Sequence, residues 1–176
     1  MTHEDSTPRI YVACLAAYNN GKLHGEWIDC DQDADDIQEE INAMLAASPE
    51  PNAEEWAIYD FENWHGIKIG ENEDIERIAE LARLIEEHGK AFALYCQHHN
   101  DEATEEEFQE HYAGQYEDEE DFVYQSWEDD GTLKKLEEMN VNRCYIDWGA
   151  IARDWFIDSY FSVEAGYKET YVFSRH

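Results

Sequence analysis

The residues that could do chemistry in this chain are carboxylates, and they are densest between positions 101 and 130. This stretch holds 14 Asp or Glu residues and not one Lys or Arg. Phe108, Tyr112, Phe122 and Trp127 interrupt the acidic positions at spacings that can bury one side of a helix while the other side faces water. The stretch is therefore predicted to fold and to hold its carboxylates outward, unlike a disordered acidic tail.

Paired carboxylates can also act as general acids and bases. With 43 acidic residues in the chain, however, close pairs arise by chance and cannot nominate such a site. The sequence contains no G-x-S-x-G, no H-E-x-x-H, no phosphate-binding P-loop and no Rossmann glycine fingerprint. We therefore expect no catalytic residues, no cofactor and no enzymatic activity, with a salt-adapted enzyme of unidentified chemistry as an alternative.

One acidic segment partly matches a calcium-binding loop. Positions 1, 3, 5, 7 and 12 of that pattern are occupied by Asp29, Asp31, Asp33, Asp35 and Glu40. Position 6, where the sharp turn requires Gly, is Ala34, and the segment that enters the loop has the pattern of a strand. An acidic helix start after a strand explains the segment better, and a calcium-binding module stays a second hypothesis.

The cysteines do not form a recognisable framework. Cys14, Cys30, Cys96 and Cys144 lie far apart without a C-x-x-C pair, which fits neither a disulfide scaffold nor a zinc ribbon. Cys96 has His98 and His99 nearby in sequence, but a second ligand pair at zinc spacing is missing. We expect no metal site, and reduced thiols in a cytoplasmic protein.

Composition bounds the kind of partner. A chain of 176 residues with 43% hydrophobic and 14% aromatic residues can bury a core, and its formal net charge is -31. That charge argues against direct binding to nucleic acid or anionic membrane, because those ligands need cations to replace their counterions. The N-terminal eight residues lack an apolar signal core, and no apolar run approaches the length of a membrane span. A basic partner is expected.

The first half of the chain reads as strands followed by helices. Residues 9–18 and 23–29 are predicted strands joined through the turn signal Asn19-Asn20-Gly21, and residues 56–61 are a third strand. Between the second and third strands, residues 33–47 have apolar positions at helical spacing and acidic positions on the other side. This pattern predicts a small α+β unit.

Helices are then predicted over most of the following chain. One is capped by Asn72 and ends at Gly89, and a short one covers residues 92–95. Thr104 and Glu107 form a capping box, with Gly114 as the predicted C-terminal cap of that helix. Further helices are predicted at 118–127, at 132–139 and after a cap at Asp147, followed by a hairpin of residues 161–163 and 170–173.

The distribution of cations identifies a candidate binding surface. Residues 23–67 and 91–133 contain no Lys or Arg, a segregation that uniform salt adaptation would not require. We predict that carboxylates on these stretches contact the partner, namely Asp35, Asp36, Glu39, Glu40, Glu54, Glu55, Glu105, Glu106, Glu107, Glu110, Glu117, Asp118, Glu119, Glu120, Asp121, Glu128, Asp129 and Asp130. The apolar face after Asp147 is predicted to be core or a dimer contact, through Trp148, Ile151, Trp155 and Phe156.

Two runs near the N-terminus carry a family resemblance. Residues 10–29, IYVACLAAYNNGKLHGEWID, and residues 54–62, EEWAIYDFE, strongly resemble ArdA-type antirestriction proteins. The likeness continues into residues 146–157 and so covers nearly the whole chain.

The resemblance implies an elongated α+β homodimer whose chain forms three small domains. These would be an N-terminal α+β domain (1–65), a small helical domain (66–100) and a C-terminal acidic α+β domain (101–176) that contributes the dimer contact. It also implies a protein of mobile genetic elements that imitates bent DNA and occupies the DNA groove of type I restriction-modification enzymes. Such a protein inhibits restriction, with inhibition of modification as a further candidate.

Overall fold

The computed structural model describes residues 6–176 and has an α+β fold, as predicted. It contains two three-stranded antiparallel sheets, and the contacts divide the chain into two compact units, Met1–Ala103 and Thr104–His176. The expected boundary between residues 65 and 66 falls within the first unit and stays a prediction. The expectation that residues 1–8 lack an apolar signal core concerns residues that are mostly outside the described range.

The N-terminal unit is built on a sheet with β1 at its centre. Its elements, in chain order, are β1 (Arg9–Cys14), α1 (Leu15–Asn19), β2 (Gly25–Asp29), α2 (Ala34–Ala46), β3 (Trp56–Glu62), α3 (Ile75–His88) and α4 (Lys90–His98). The strand order is β2-β1-β3, with Ile10 paired to Ile28 and Val12 to Ile58. All four of these side chains are buried, so the centre of this sheet is an aliphatic core.

Three boundaries in this unit differ from the prediction. The apolar run expected to be one strand over 9–18 changes at Leu15 into the short helix α1, where the Leu15 N–H bonds to Glu55 O and the Asn20 N–H bonds to Ala17 O. The cap of α3 is Asp74, whose side chain accepts from Glu76 N, and not Asn72. The helix expected at 92–95 covers Lys90–His98, and Gly89, with φ of +70°, ends α3 as predicted.

The C-terminal unit has a second sheet with β6 at its centre. Its elements are α5 (Glu105–His111), β4 (Tyr112–Tyr116), α6 (Glu119–Asp129), α7 (Thr132–Glu138), a 3-10 turn (Arg143–Tyr145), α8 (Trp148–Asp158), β5 (Tyr160–Gly166) and β6 (Glu169–Ser174). The order is β4-β6-β5, so the predicted closing hairpin is correct and gains a third strand.

Gly114 is not the predicted helix cap. Helix α5 ends at His111, and Tyr112 is already extended (φ −70°, ψ 120°) and pairs with Phe173 of β6. Tyr112 also stacks on Phe108 with ring centroids 4.9 Å apart, so its aromatic ring is in the predicted apolar cluster although its backbone is in a strand. Cross-strand and aromatic packing therefore override the helix-stop signal of glycine here.

Aromatic rings form the core of this unit. Phe122 of α6 lies within 6 Å, between ring centroids, of Tyr116, Trp155, Phe156 and Tyr160. These rings come from β4, α6, α8 and β5, so one phenylalanine joins both layers of the unit. Such edge-to-face arrangements add about 0.5–1.5 kcal/mol per pair beyond the area they bury.

Candidate acidic binding surface

The structure places the predicted carboxylates mostly on the outside. Of the 18 predicted residues, 15 are exposed, and only Glu105, Glu119 and Asp121 are half-buried. Five carboxylates outside the predicted set form ion pairs with Lys or Arg, namely Glu50, Glu62, Glu80, Glu87 and Glu137. The candidate surface thus keeps its charge where a partner could reach it.

Helix α2 carries the acidic face of the N-terminal unit. Ile37, Ile41 and Met44 are buried against β1, β2 and α3, which turns the opposite side of the helix to water. That side holds four exposed carboxylates, those of Asp35, Asp36, Glu39 and Glu40. Carboxylates three or four residues apart on a helix have Cβ atoms about 5–6 Å apart, so they form an anionic row.

Helix α5 begins at the predicted capping box. Thr104 Oγ1 accepts from Glu107 N and Glu107 Oε2 accepts from Thr104 N, both at 3.2 Å. Phe108 is 2% exposed and fixes the buried side of this short helix. Glu106 and Glu110 are then directed to water, whereas Glu107 has a structural bond besides its charge.

The start of α6 uses several predicted carboxylates as backbone acceptors. Asp118 Oδ1 accepts from Asp121 N at 2.7 Å, and Asp121 Oδ2 accepts from Glu117 N at 3.0 Å. Glu119 Oε2 accepts from Ser162 Oγ of β5 at 2.9 Å. This structural role was not predicted from the sequence, although an Asp three residues before another acidic residue at a helix start is a recognisable cap pattern.

Asp130, at the end of α6, is similarly fixed. Its Oδ1 accepts from Thr132 N at 2.9 Å, and hydrogen bonds from the Thr132 side chain and backbone lower the pKa of its carboxyl. The carboxylate form is therefore favoured at the junction between α6 and α7. The positive ends of the α5 and α6 dipoles likewise favour the anions in their first turns.

The calcium-loop pattern does not become a calcium loop. Asp33 is the cap residue of α2, so Asp35 and Glu40 lie on a helix and not in a chelating loop. Within residues 29–40, all of which the structure describes, three ligand atoms do not come within 4.8 Å of one another. Gln32 instead donates to Glu40 and to Asp29 O, which supports the interpretation of an acidic helix start.

The cysteines are free thiols in contrasting surroundings. Cys14, Cys30 and Cys96 are buried and Cys144 is exposed. Burial, with the nearby charge of Asp29 and Asp31, raises the pKa of Cys30 to about 12, so this thiol stays protonated. Cys96 is in the core whereas His98 and His99 are exposed, so the three do not converge on one point.

The predicted dimer face is partly occupied within its own unit. Trp148 contacts Tyr124 and Trp127, with centroid distances of 5.2 and 5.4 Å. Trp148, Ile151, Trp155 and Phe156 all remain half-buried, and Ile157 on the same helix is 68% exposed. The contact with a second copy stays a prediction.

None of the helices in residues 6–176 is long and apolar enough to cross a membrane. Among curated proteins, no sequence matches this chain. The model of the ArdA antirestriction protein family matches residues 10–169, a span that includes elements of both units. Because that span is far more than half of the chain, the protein belongs to the ArdA family of antirestriction proteins.

Proposed function

We propose that this protein inhibits type I restriction-modification enzymes by placing its acidic surfaces in the groove that normally holds DNA. The site is the methyltransferase core with its DNA-recognition subunit. Inhibition of restriction is the main activity, and inhibition of modification follows if methylation uses the same occupied groove. The protein neither binds nucleic acid itself nor catalyses a reaction.

This function is supported by one observation, which is that the carboxylates are exposed on helices that the fold holds in place. A DNA groove gains most of its sequence-independent affinity from cations that contact phosphates, and carboxylates can satisfy those cations without presenting a base. The helices bear their charges on one side because the other side is buried, as in α2. A preformed display loses less conformational entropy on binding than a flexible acidic tail does.

The amount of charge suits a substitute for DNA. A net charge of -31 equals that of about 15 base pairs of duplex, since each pair contributes two phosphates. A homodimer formed through the apolar face of α8 would present the charge of about 30 base pairs. A cytoplasmic inhibitor carried by a mobile genetic element would thus protect incoming DNA from the restriction enzymes of its host.

Competition between the protein and duplex DNA for a purified type I methyltransferase tests the proposal. We expect the protein to displace labelled DNA at low salt and its affinity to fall steeply as salt rises, because ion contacts dominate. An unrelated folded protein of equal net charge is the control for non-specific displacement. Failure to displace DNA, or an affinity indifferent to ionic strength, contradicts the proposed mechanism.

A further inference from the structure

We propose that Tyr18 and Tyr59 of the N-terminal unit form an aromatic docking site for an arginine side chain of the basic partner. The inference rests on the proposed function, and it adds to charge a contact that depends on ring stacking. Tyr18 is 57% exposed and Tyr59 is 39% exposed, and their ring centroids are 5.4 Å apart with an angle of 36° between the planes. The two rings therefore form one continuous surface open to solvent.

An irregularity in the sheet aims Tyr59 outward. In the pairing of β1 with β3, Tyr11 is opposite Asp60 and Val12 is opposite Ile58, so Tyr59 is the extra residue of a β-bulge. A bulge bends the strand and redirects the side chain of the extra residue. The bulge accounts for two consecutive exposed residues, Tyr59 and Asp60, where regular alternation would turn one of the two toward the buried face.

The short helix α1 brings Tyr18 to the same place. It follows β1 directly, and its first residue is held by the bond from Leu15 N to Glu55 O, which ties it to the segment that enters β3. Ala17 is completely buried, so the adjacent Tyr18 faces outward. Because the chain forms α1 here and not the single strand predicted over 9–18, Tyr18 lies beside Tyr59.

The surroundings of the pair are acidic. Glu71 O accepts from Ile58 N at 3.0 Å, which places Glu71 beside β3 next to Tyr59. Partial burial, the Tyr18 hydroxyl and the Glu71 carboxylate, in that order, raise the pKa of Tyr59, so its hydroxyl remains a neutral donor. Lys22, the cation that follows α1, pairs with Glu50 at 3.0 Å. A cationic ligand is therefore favoured by charge as well as by the rings.

Arginine fits this site better than lysine does. A guanidinium is planar and weakly hydrated, so it can stack on a tyrosine ring while its edge bonds a carboxylate such as that of Glu71. An ammonium group is strongly hydrated and loses more on leaving water.

The first test measures the affinity for a purified type I methyltransferase as a function of salt. We expect the double substitution Tyr18→Ala with Tyr59→Ala to weaken binding about 5- to 30-fold at every salt concentration. The slope of log affinity against log salt should not change, because no charge is removed. Tyr18→Phe with Tyr59→Phe keeps the rings and should stay within about 3-fold of the wild type.

Controls separate this inference from the proposed function. Tyr167→Ala, at a tyrosine that is 90% exposed in the C-terminal unit, should have no effect on affinity. If the wild type competes with DNA but the double Ala variant binds equally well, the docking site is wrong and the proposed function stands. The docking site is also wrong if the double Phe variant loses as much as the Ala variant, or if sedimentation shows that the Ala variant has lost self-association.

A second test does not need the restriction enzyme. Hexa-arginine and hexa-lysine peptides are titrated into the wild-type protein, and the ring protons of Tyr18 and Tyr59 are followed by NMR, assigned through the single Phe variants. We expect the arginine peptide to shift these ring signals at least twofold more than the lysine peptide does at equal concentration, with the Tyr167 ring as internal reference. Equal shifts from the two peptides would overturn the preference for arginine.

Discussion

The two units of this protein hold their carboxylates in different ways. In the N-terminal unit, α2 is fixed by buried aliphatic side chains, and its cap residue Asp33 makes no side-chain capping bond. In the C-terminal unit, the starts of α5 and α6 are fixed by carboxyl and hydroxyl groups that belong to the acidic stretch itself, including Glu107, Asp118 and Asp121. The carboxylates of α2 do not cap their helix, whereas several of those in the C-terminal unit both display charge and accept hydrogen bonds from the backbone.

This difference between the two units follows from the kind of residue that forms each hydrophobic core. Ile10, Ile28 and Ile41 are completely buried in the N-terminal unit, which leaves the helix surface free for charge. The C-terminal unit relies on rings such as Trp155 and Phe156 that remain half-buried. Caps contribute about 1 kcal/mol each, a substantial share of the marginal stability of a small unit. Removal of charge should therefore have separable effects on binding and on stability in the two units.

Neutralising four carboxylates without a capping role should have the largest effect. We expect Glu106→Gln, Glu110→Gln, Glu120→Gln and Glu128→Gln together to weaken binding to the methyltransferase by about 100-fold at low salt, from about 0.7 kcal/mol per exposed contact. Each lost contact should also reduce the salt slope by about 1. Competition with labelled DNA at several salt concentrations measures both quantities.

The matched variant carries the same change of charge on α2, through Asp35→Asn, Asp36→Asn, Glu39→Gln and Glu40→Gln. If both units contact the partner, the two quadruple variants should lose affinity to a similar extent. A loss confined to one variant would assign the groove contact to that unit alone. If neither variant binds more weakly, display of charge is not the basis of the inhibition.

The next largest effect is expected at Asp118, because its carboxylate both carries charge and caps α6. Asp118→Ala removes the bond to Asp121 N and should destabilise the C-terminal unit by about 1 kcal/mol, lowering its melting temperature by about 4–8 °C. Asp118→Asn keeps a capping oxygen and removes the charge, so it should melt close to the wild type. On α2, where Asp36 has no capping role, Asp36→Ala and Asp36→Asn should have the same melting temperature. Equal melting of the two Asp118 variants would show that the cap is dispensable.

The sequence was sufficient for those features of the fold that repeat over several residues. The period of Ile37, Ile41 and Met44 predicted α2 and its exposed acidic side, and the spacing of Thr104 and Glu107 predicted the capping box. Single-residue signals were less reliable, because tertiary contacts decide them. Gly114 could have ended a helix, but pairing with β6 placed it in a strand.

The sequence predicts that the candidate surface is acidic and exposed. It does not predict which carboxylates bond to the backbone or which aromatic rings meet. Exposure of the acidic residues follows from the burial of the apolar residues on the same helices, which periodicity reveals. The capping role of Asp121 toward Glu117 N depends on where α6 begins, a boundary that composition does not fix. The Tyr18 and Tyr59 pair depends on a bulge between β1 and β3, where Tyr11 pairs with Asp60 and Val12 with Ile58, and no local pattern encodes it.

Alkaline pH should affect the C-terminal sheet through Tyr171. Burial and the hydrogen bond to Glu169 Oε1 at 2.7 Å raise the pKa of this tyrosine from 10.0 to about 12. The unfolded chain therefore releases this proton first as pH rises, so stability is unaffected below about pH 10 and falls between pH 10 and 12. At pH 9 the free energy of unfolding of Tyr171→Phe should be lower than that of the wild type by less than about 1 kcal/mol. This difference should shrink by pH 11. A difference that stays constant between these pH values would contradict the raised pKa.

A single neutralisation on α2 should have the smallest effect. Glu39 is exposed and lies between other carboxylates of the same face, so its charge is one of several that can meet a given cation of the partner. Glu39→Gln should therefore weaken the affinity for the methyltransferase no more than about threefold, the effect of a single contact of about 0.7 kcal/mol. It should leave the melting temperature unchanged or slightly raise it, because it relieves repulsion from Asp35, Asp36 and Glu40. A large loss from this one substitution would show that a specific contact, and not a shared field, carries the recognition by α2.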